Sequence, residues 1–150
     1  LFPDHADTDH GLIREAFGEP RFIYLERRDR VAQAVSRLKA EQADIWHMDD
    51  VQRTAPPADA YRYDHEQLRG FVEEADTHNI AWQQWFDAQN ITPYHIVYED
   101  LCADPPTAIH GLLAYLSVPP NTAQPLRTKN QKMADALSAE WIARYNDEQG

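Results

Sequence analysis

Apolar positions along this 150-residue chain recur with two distinct periods, and the switches between them divide it into elements. His10 to Phe17 reads as a short helix, closed by Gly18 and Pro20. Arg21 to Glu26 is a compact apolar, β-branched and aromatic run after a Gly-Glu-Pro turn, which predicts a strand. Asp29 is a good N-cap, and apolar residues at 31, 34, 35, 38 and 45 lay down a helical stripe to about Trp46. Met48 to Tyr63 is polar, contains Pro56-Pro57 and has no period, which predicts a loop.

Asp64 then opens the strongest helical pattern, in which Leu68, Phe71, Val72, Ala75, Trp82, Trp85 and Phe86 share one face to about Asn90. Tyr94 to Tyr98 predicts a second strand, ended by Glu99-Asp100. Asp104-Pro105 is a helix start, with proline where its missing N–H costs nothing. Ile109, Leu112, Leu113 and Leu116 form the expected buried face, and Pro119-Pro120 stops the helix. After a polar stretch to Leu137, Ser138 is expected to cap a last helix carrying Trp141, Ile142 and Tyr145. Strands separated by long helices predict a layered α/β domain with a parallel sheet. Two strands are few for such a sheet, so further elements are expected before Leu1.

Composition narrows the classes. A hydrophobic content of 43% with only 5 glycines belongs to a folded chain, and the length suits one domain. No run approaches the about 18 apolar residues of a membrane span, so a soluble protein is expected. The net charge of −11 weighs against nucleic acid, whose binding rests on Lys and Arg. A small anion remains compatible, because a few clustered cations dominate locally. Cys102 is the single cysteine; it excludes an intrachain disulfide, suits a reducing cytoplasmic compartment and reads as an ordinary buried thiol. The first ten residues are acidic and His-containing, unlike a signal peptide.

The chemically informative stretch is strand-turn-helix, Tyr24-Leu25-Glu26-Arg27-Arg28-Asp29-Arg30-Val31-Ala32-Gln33-Ala34-Val35-Ser36. It delivers Arg27 and Arg28 to the carboxyl edge of the sheet, where open α/β folds bind ligands. A guanidinium there can grip a phosphate, and Ser36 follows about 10 Å along the next helix. From these residues alone the alternative stays open that the arginines only pair with Glu26, Asp29 and surface acids.

The same stretch resembles the 3′-phosphate-binding region of PAPS-dependent sulfotransferases, in particular the bacterial trehalose 2-sulfotransferase-like family. That family has a strand ending in Arg, an Asp two residues on, Gln-Ala-Val-Ser in the helix and a Trp at its far end. Here these are Arg27, Asp29, Gln33 to Ser36 and Trp46. Two further blocks are similar in the same order. One is His78 to Phe86 with Ile91-Thr92-Pro93 and Tyr98-Glu99-Asp100-Leu101; the other is Ser138 to Tyr145. The resemblance implies a three-layer P-loop NTPase-like sulfotransferase fold, truncated at its N-terminus, with residues 1–150 forming part of one domain. It implies PAPS as donor and no metal, with Arg27 and Ser36 on the 3′-phosphate. Arg28 competes with Arg27, because it stands eight residues before Ser36, and Lys132 is a further basic candidate near the nucleotide. A carbohydrate or glycolipid hydroxyl is the implied acceptor, with Trp46 a candidate for its cleft.

The departure from the family concerns the donor loop. No Ser/Gly-rich loop precedes a helix here and no G-x-x-x-x-G-K-[ST] element occurs, so nothing cradles the 5′-phosphosulfate. The catalytic residue is not identifiable, and the chain alone is expected to be inactive. Uncovered sheet edges predict self-association. The reading from another class is a non-catalytic nucleotide-binding or assembly module that kept the fold; a nucleotide kinase is disfavoured by the absent Walker loop. Asp4, His5, Asp7, Asp9 and His10 lack any fixed metal-ligand spacing and read as a solvated end. Glu73, Glu74 and Asp76 read as a solvated helix face. His95 reads as a packed, hydrogen-bonded strand residue, and Trp82, Trp85 and Phe86 read as core.

Overall fold

A computed structural model of the protein describes residues 6–43, 58–119 and 136–150. The elements run α1 (Ala6–Phe17), β1 (Ile23–Glu26), α2 (Arg30–Ala43), a 3-10 turn (Ala58–Ala60), α3 (His65–Ala88), β2 (Tyr94–Val97), α4 (Tyr98–Ala103), α5 (Pro105–Tyr115) and α6 (Ala136–Gln149). They divide between two compact units: residues 1–28 with 77–127, and residues 29–76 with 128–150.

In the first unit β1 and β2 pair in parallel with Ile23 opposite Tyr94 and Glu26 opposite Val97, which makes the fold class α/β. Side chains alternate across this ribbon, and helices meet both faces. On one face Tyr24 donates to Asn79 Oδ1 at 2.6 Å and sets its ring on Phe86, both of α3. Trp85 and Phe86 are buried there with Phe22, Tyr24, Trp82 and Ile91 around them. On the other face Tyr94 stacks on Tyr115 of α5 with ring centroids 5.1 Å apart. Ile23 and Leu25 share that face and stay exposed.

Local chemistry sets the boundaries. Gly18 ends α1 at φ 83°, a left-handed stop, and returns its N–H to the Arg14 carbonyl at 3.0 Å. The Asp104 carboxylate accepts the Thr107 N–H at 3.2 Å and opens α5, with Pro105 in its first turn. The expected apolar face of α5 is only half-buried, and no residue of that helix is fully covered. The expected strand through Tyr98 stops at Val97, because Tyr98 already belongs to α4, a six-residue helix the periodicity is too short to reveal.

The second unit packs α2, the first half of α3 and α6. Ala34, Val35, Leu38, Leu68, Trp141 and Tyr145 are its buried core. Leu38, Leu68 and Val35 are almost wholly removed from water, each a gain of about 1.5–3 kcal/mol. Asp29 caps α2 through the Ala32 N–H at 2.8 Å, and Asp64 caps α3 through the Gln67 N–H at 3.0 Å. Ser138 does not cap α6, which begins at Ala136. It lies buried inside the helix and accepts a hydrogen bond from Lys39 Nζ at 3.1 Å, so its polarity serves a buried ammonium group. No described helix is long and apolar enough to cross a membrane.

Candidate functional site

The parallel register brings the residues that follow the two strands side by side. Glu26 pairs with Val97, so Arg27 and Arg28 leave β1 beside Tyr98, Glu99 and Asp100, the first turn of α4. The Arg27 guanidinium lies over the Tyr98 ring, its carbon 4.7 Å from the centroid. Its Nε is 3.7 Å from Glu99 Oε1, near enough for charge attraction but too far for a hydrogen bond. That Nε is buried and has no hydrogen-bond partner. Arg28 is treated differently. Its backbone N–H donates to Glu99 Oε2 at 2.9 Å, and its Nη2 reaches both Asp100 oxygens at 3.1 and 3.3 Å.

Magnitudes separate the two arginines. The Arg28–Asp100 pair is 64% and 66% exposed, so it contributes at most about 1 kcal/mol. Arg27 is 23% exposed and gains about 0.5–2 kcal/mol from the ring. Its unsatisfied buried N–H costs about 1–3 kcal/mol. Arg27 is therefore a cation held in one orientation with donor capacity left over, whereas Arg28 is a surface group with a partner. The neighbouring Cys102 thiol first, then burial, push the Tyr98 pKa up. Cys102 itself is exposed and not buried as expected, because it lies on the outer side of the short α4.

In the second unit Ser36 is exposed on α2, on the side away from Ala34, Val35 and Leu38. Neighbouring cations there are engaged. Arg37 donates to Glu41 at 3.1 Å and Glu74 at 2.9 Å while covering the Phe71 ring, and Arg30 Nε donates to Asp76 at 3.0 Å. The carboxylates of Glu73, Glu74 and Asp76 are thus the ion-pair partners of Arg69, Arg37 and Arg30. Trp46 and Lys132 lie outside the described residues.

His95 meets Glu26 Oε2 at 2.8 Å through Nε2 and stacks on Tyr24, a hydrogen-bonded strand residue as expected, although about half its side chain is exposed. His10 packs edge-on against Phe22 and Trp85 in the apolar cluster. Among the described residues no group of His, Cys, Asp or Glu could hold a metal ion.

Tyr98 and Glu99 are the functional candidates that reading by segments missed as partners of Arg27. Each sits 71 residues after its counterpart, since Arg27 meets Tyr98 and Arg28 meets Glu99. Only the strand register makes them neighbours.

The family model for Stf0 sulphotransferase matches residues 1–148. The chain is 28% identical over 151 aligned positions to a trehalose 2-sulfotransferase of Mycobacterium tuberculosis (strain ATCC 35801 / TMC 107 / Erdman), covering 97% of this chain and 54% of that protein. It is also 28% identical over 135 positions to a trehalose 2-sulfotransferase of Mycolicibacterium smegmatis (strain ATCC 700084 / mc(2)155), covering 89% of this chain and 48% of that protein. The chain thus spans about half the length of these curated relatives.

Proposed function

The chain belongs to the Stf0 sulphotransferase family, and on that premise we propose that it carries the 3′-phosphate half of a PAPS site. The observation that supports this is Arg27: a guanidinium held on Tyr98, with a buried Nε that has no hydrogen-bond partner. Such a group fits a phosphate oxygen, which would supply the acceptor it lacks. Ser36 is assigned to the same phosphate by the resemblance of its segment, and Lys132 to the nucleotide on the same ground. Arg28, already paired with Asp100, is assigned to holding the turn.

PAPS supplies a sulfuryl group on a stable leaving group. The reaction proposed for the whole protein is attack of an acceptor hydroxyl oxygen on that sulfur. The S–O bond to the 5′-phosphate breaks, the hydroxyl proton leaves to a base, and a sulfate ester and adenosine 3′,5′-bisphosphate are released. The relatives named for trehalose point to a carbohydrate acceptor, a disaccharide or glycolipid hydroxyl, with Trp46 in its cleft. No metal takes part in this scheme. A cytoplasmic setting and a P-loop NTPase-like, three-layer domain spanning residues 1–150 and further strands complete the proposal. The chain alone is inactive in this reading, because its sequence contains no Ser/Gly-rich loop for the phosphosulfate. The same absence favours the second reading, a nucleotide-binding module without catalysis.

Calorimetric titration of the chain with adenosine 3′,5′-bisphosphate and with ADP tests the assignment. Preference for the 3′-phosphate, weakened by Arg27→Ala and by Ser36→Ala, is the expected result. Equal affinity for both nucleotides would refute it. Transfer of labelled sulfate by the isolated chain would refute the claim of inactivity and exclude the second reading.

A further inference from the structure

The buried Nε of Arg27 has no hydrogen bond to hold it. What it has is a flat surface beneath it and a carboxylate beside it. We propose that Tyr98 and Glu99 are the positioning residues of the anion site: the Tyr98 ring fixes the plane of the Arg27 guanidinium, and Glu99 anchors the turn that presents it. This inference rests on the reading of Arg27 as the 3′-phosphate cation.

Three observations carry it. The guanidinium carbon stands 4.7 Å from the Tyr98 centroid, within the range where the negative face of a ring attracts a cation. Glu99 uses its two oxygens for two tasks: Oε2 accepts the Arg28 backbone N–H at 2.9 Å, and Oε1 faces Arg27 Nε at 3.7 Å. Asp100 draws the Arg28 side chain towards itself, so the two arginines diverge from adjacent positions. A long, flexible cation loses much rotamer freedom when it captures a ligand, and a ring that holds it beforehand lowers that cost. The ring offers no hydrogen bond that competes with phosphate, so it can orient the cation without occupying its donors.

The ring interaction can be graded without changing shape. Phenylalanine at position 98, then phenylalanines carrying one, two and three ring fluorines, keep the size while weakening the negative face stepwise. The readout is the affinity ratio of adenosine 3′,5′-bisphosphate over adenosine 5′-monophosphate. We expect Tyr98→Phe to stay within about twofold of the unsubstituted chain. The ratio should then fall stepwise to a loss on the order of tenfold at three fluorines, with the monophosphate affinity unmoved. Glu99→Ala should also lower the ratio, and Glu99→Gln, which keeps an acceptor for the Arg28 N–H, should restore most of it. A flat fluorination series with Arg27→Ala still losing the preference would overturn the Tyr98 platform and leave the Arg27 reading standing. Arg27→Ala with an unchanged ratio would overturn the Arg27 reading, and this inference with it. No preference in the unsubstituted chain would overturn both.

Discussion

Tyr63 and Glu148 tie the start of α3 to α6, and both titrate away from their ordinary values. The Tyr63 hydroxyl donates to Glu148 Oε2 at 2.8 Å, while Arg144 Nε reaches the other oxygen at 2.8 Å and lies over the Tyr63 ring. Burial first, then the hydrogen bond to a carboxylate, push the tyrosine up to about 12. Glu148 is held below the ordinary glutamate value of 4.5 by Arg144 and Tyr63. Stability supplied by the neutral tyrosine is present below its ordinary value of 10 and is lost as pH rises through about 12. Stability supplied by the Glu148 carboxylate is present above 4.5 and is lost as pH falls through its lower folded value. Ultraviolet titration should therefore show one of the seven tyrosines ionising last, near pH 12, and Glu148→Gln should bring it down. The melting-temperature advantage of the parent chain over Glu148→Gln should vanish in acid. An advantage that grows below pH 4 would contradict this pairing.

At the scale of elements, Gly111 shows how tertiary contact overrides helix propensity. A glycine inside α5 costs about 1 kcal/mol relative to alanine, yet a Cβ at that position would overlap the Tyr94 hydroxyl. Tyr94 has little room to yield, because its ring is stacked on Tyr115. Gly111→Ala should destabilise the chain by about 1–3 kcal/mol in denaturant unfolding. With Tyr94→Phe, which removes the obstructing oxygen, the same change should become neutral or stabilising. If Gly111→Ala stabilises the chain on its own, the packing of α5 on β2 is not as described.

The helices with strong caps and long stripes, α2, α3 and α5, were legible from Asp29, Asp64, Asp104 and the apolar rhythm after each. So was the core role of Trp85 and Phe86. Ser138 was misplaced, because a serine before an apolar run has the same pattern whether it caps or accepts from a buried lysine. Helix α4 was hidden, because six residues hold too few turns to show a period. That two arginines follow the first strand could be read from the sequence. Their sorting into a held Arg27 and a paired Arg28 could not, since it depends on partners 71 and 72 positions away.

For the molecule as a whole, a net charge of −11 makes anion binding depend on where its few cations are held, not on how many there are. The described sheet has two strands, and Leu25 on the first of them is 56% exposed. Self-association of the chain is expected to be concentration-dependent in sedimentation, and Leu25→Lys should shift it towards monomer without altering nucleotide preference. Equal sedimentation of the two proteins would show that this face takes no part.

The central claim, that Arg27 and not Arg28 receives the 3′-phosphate, is tested most directly by following the side-chain Nε–H resonances of the arginines during nucleotide titration. Adenosine 3′,5′-bisphosphate should shift the Arg27 resonance, identified by its loss in Arg27→Lys, and leave Arg28 in place, while adenosine 5′-monophosphate moves neither. Movement of Arg28 alone, or equal movement with both nucleotides, would contradict the account.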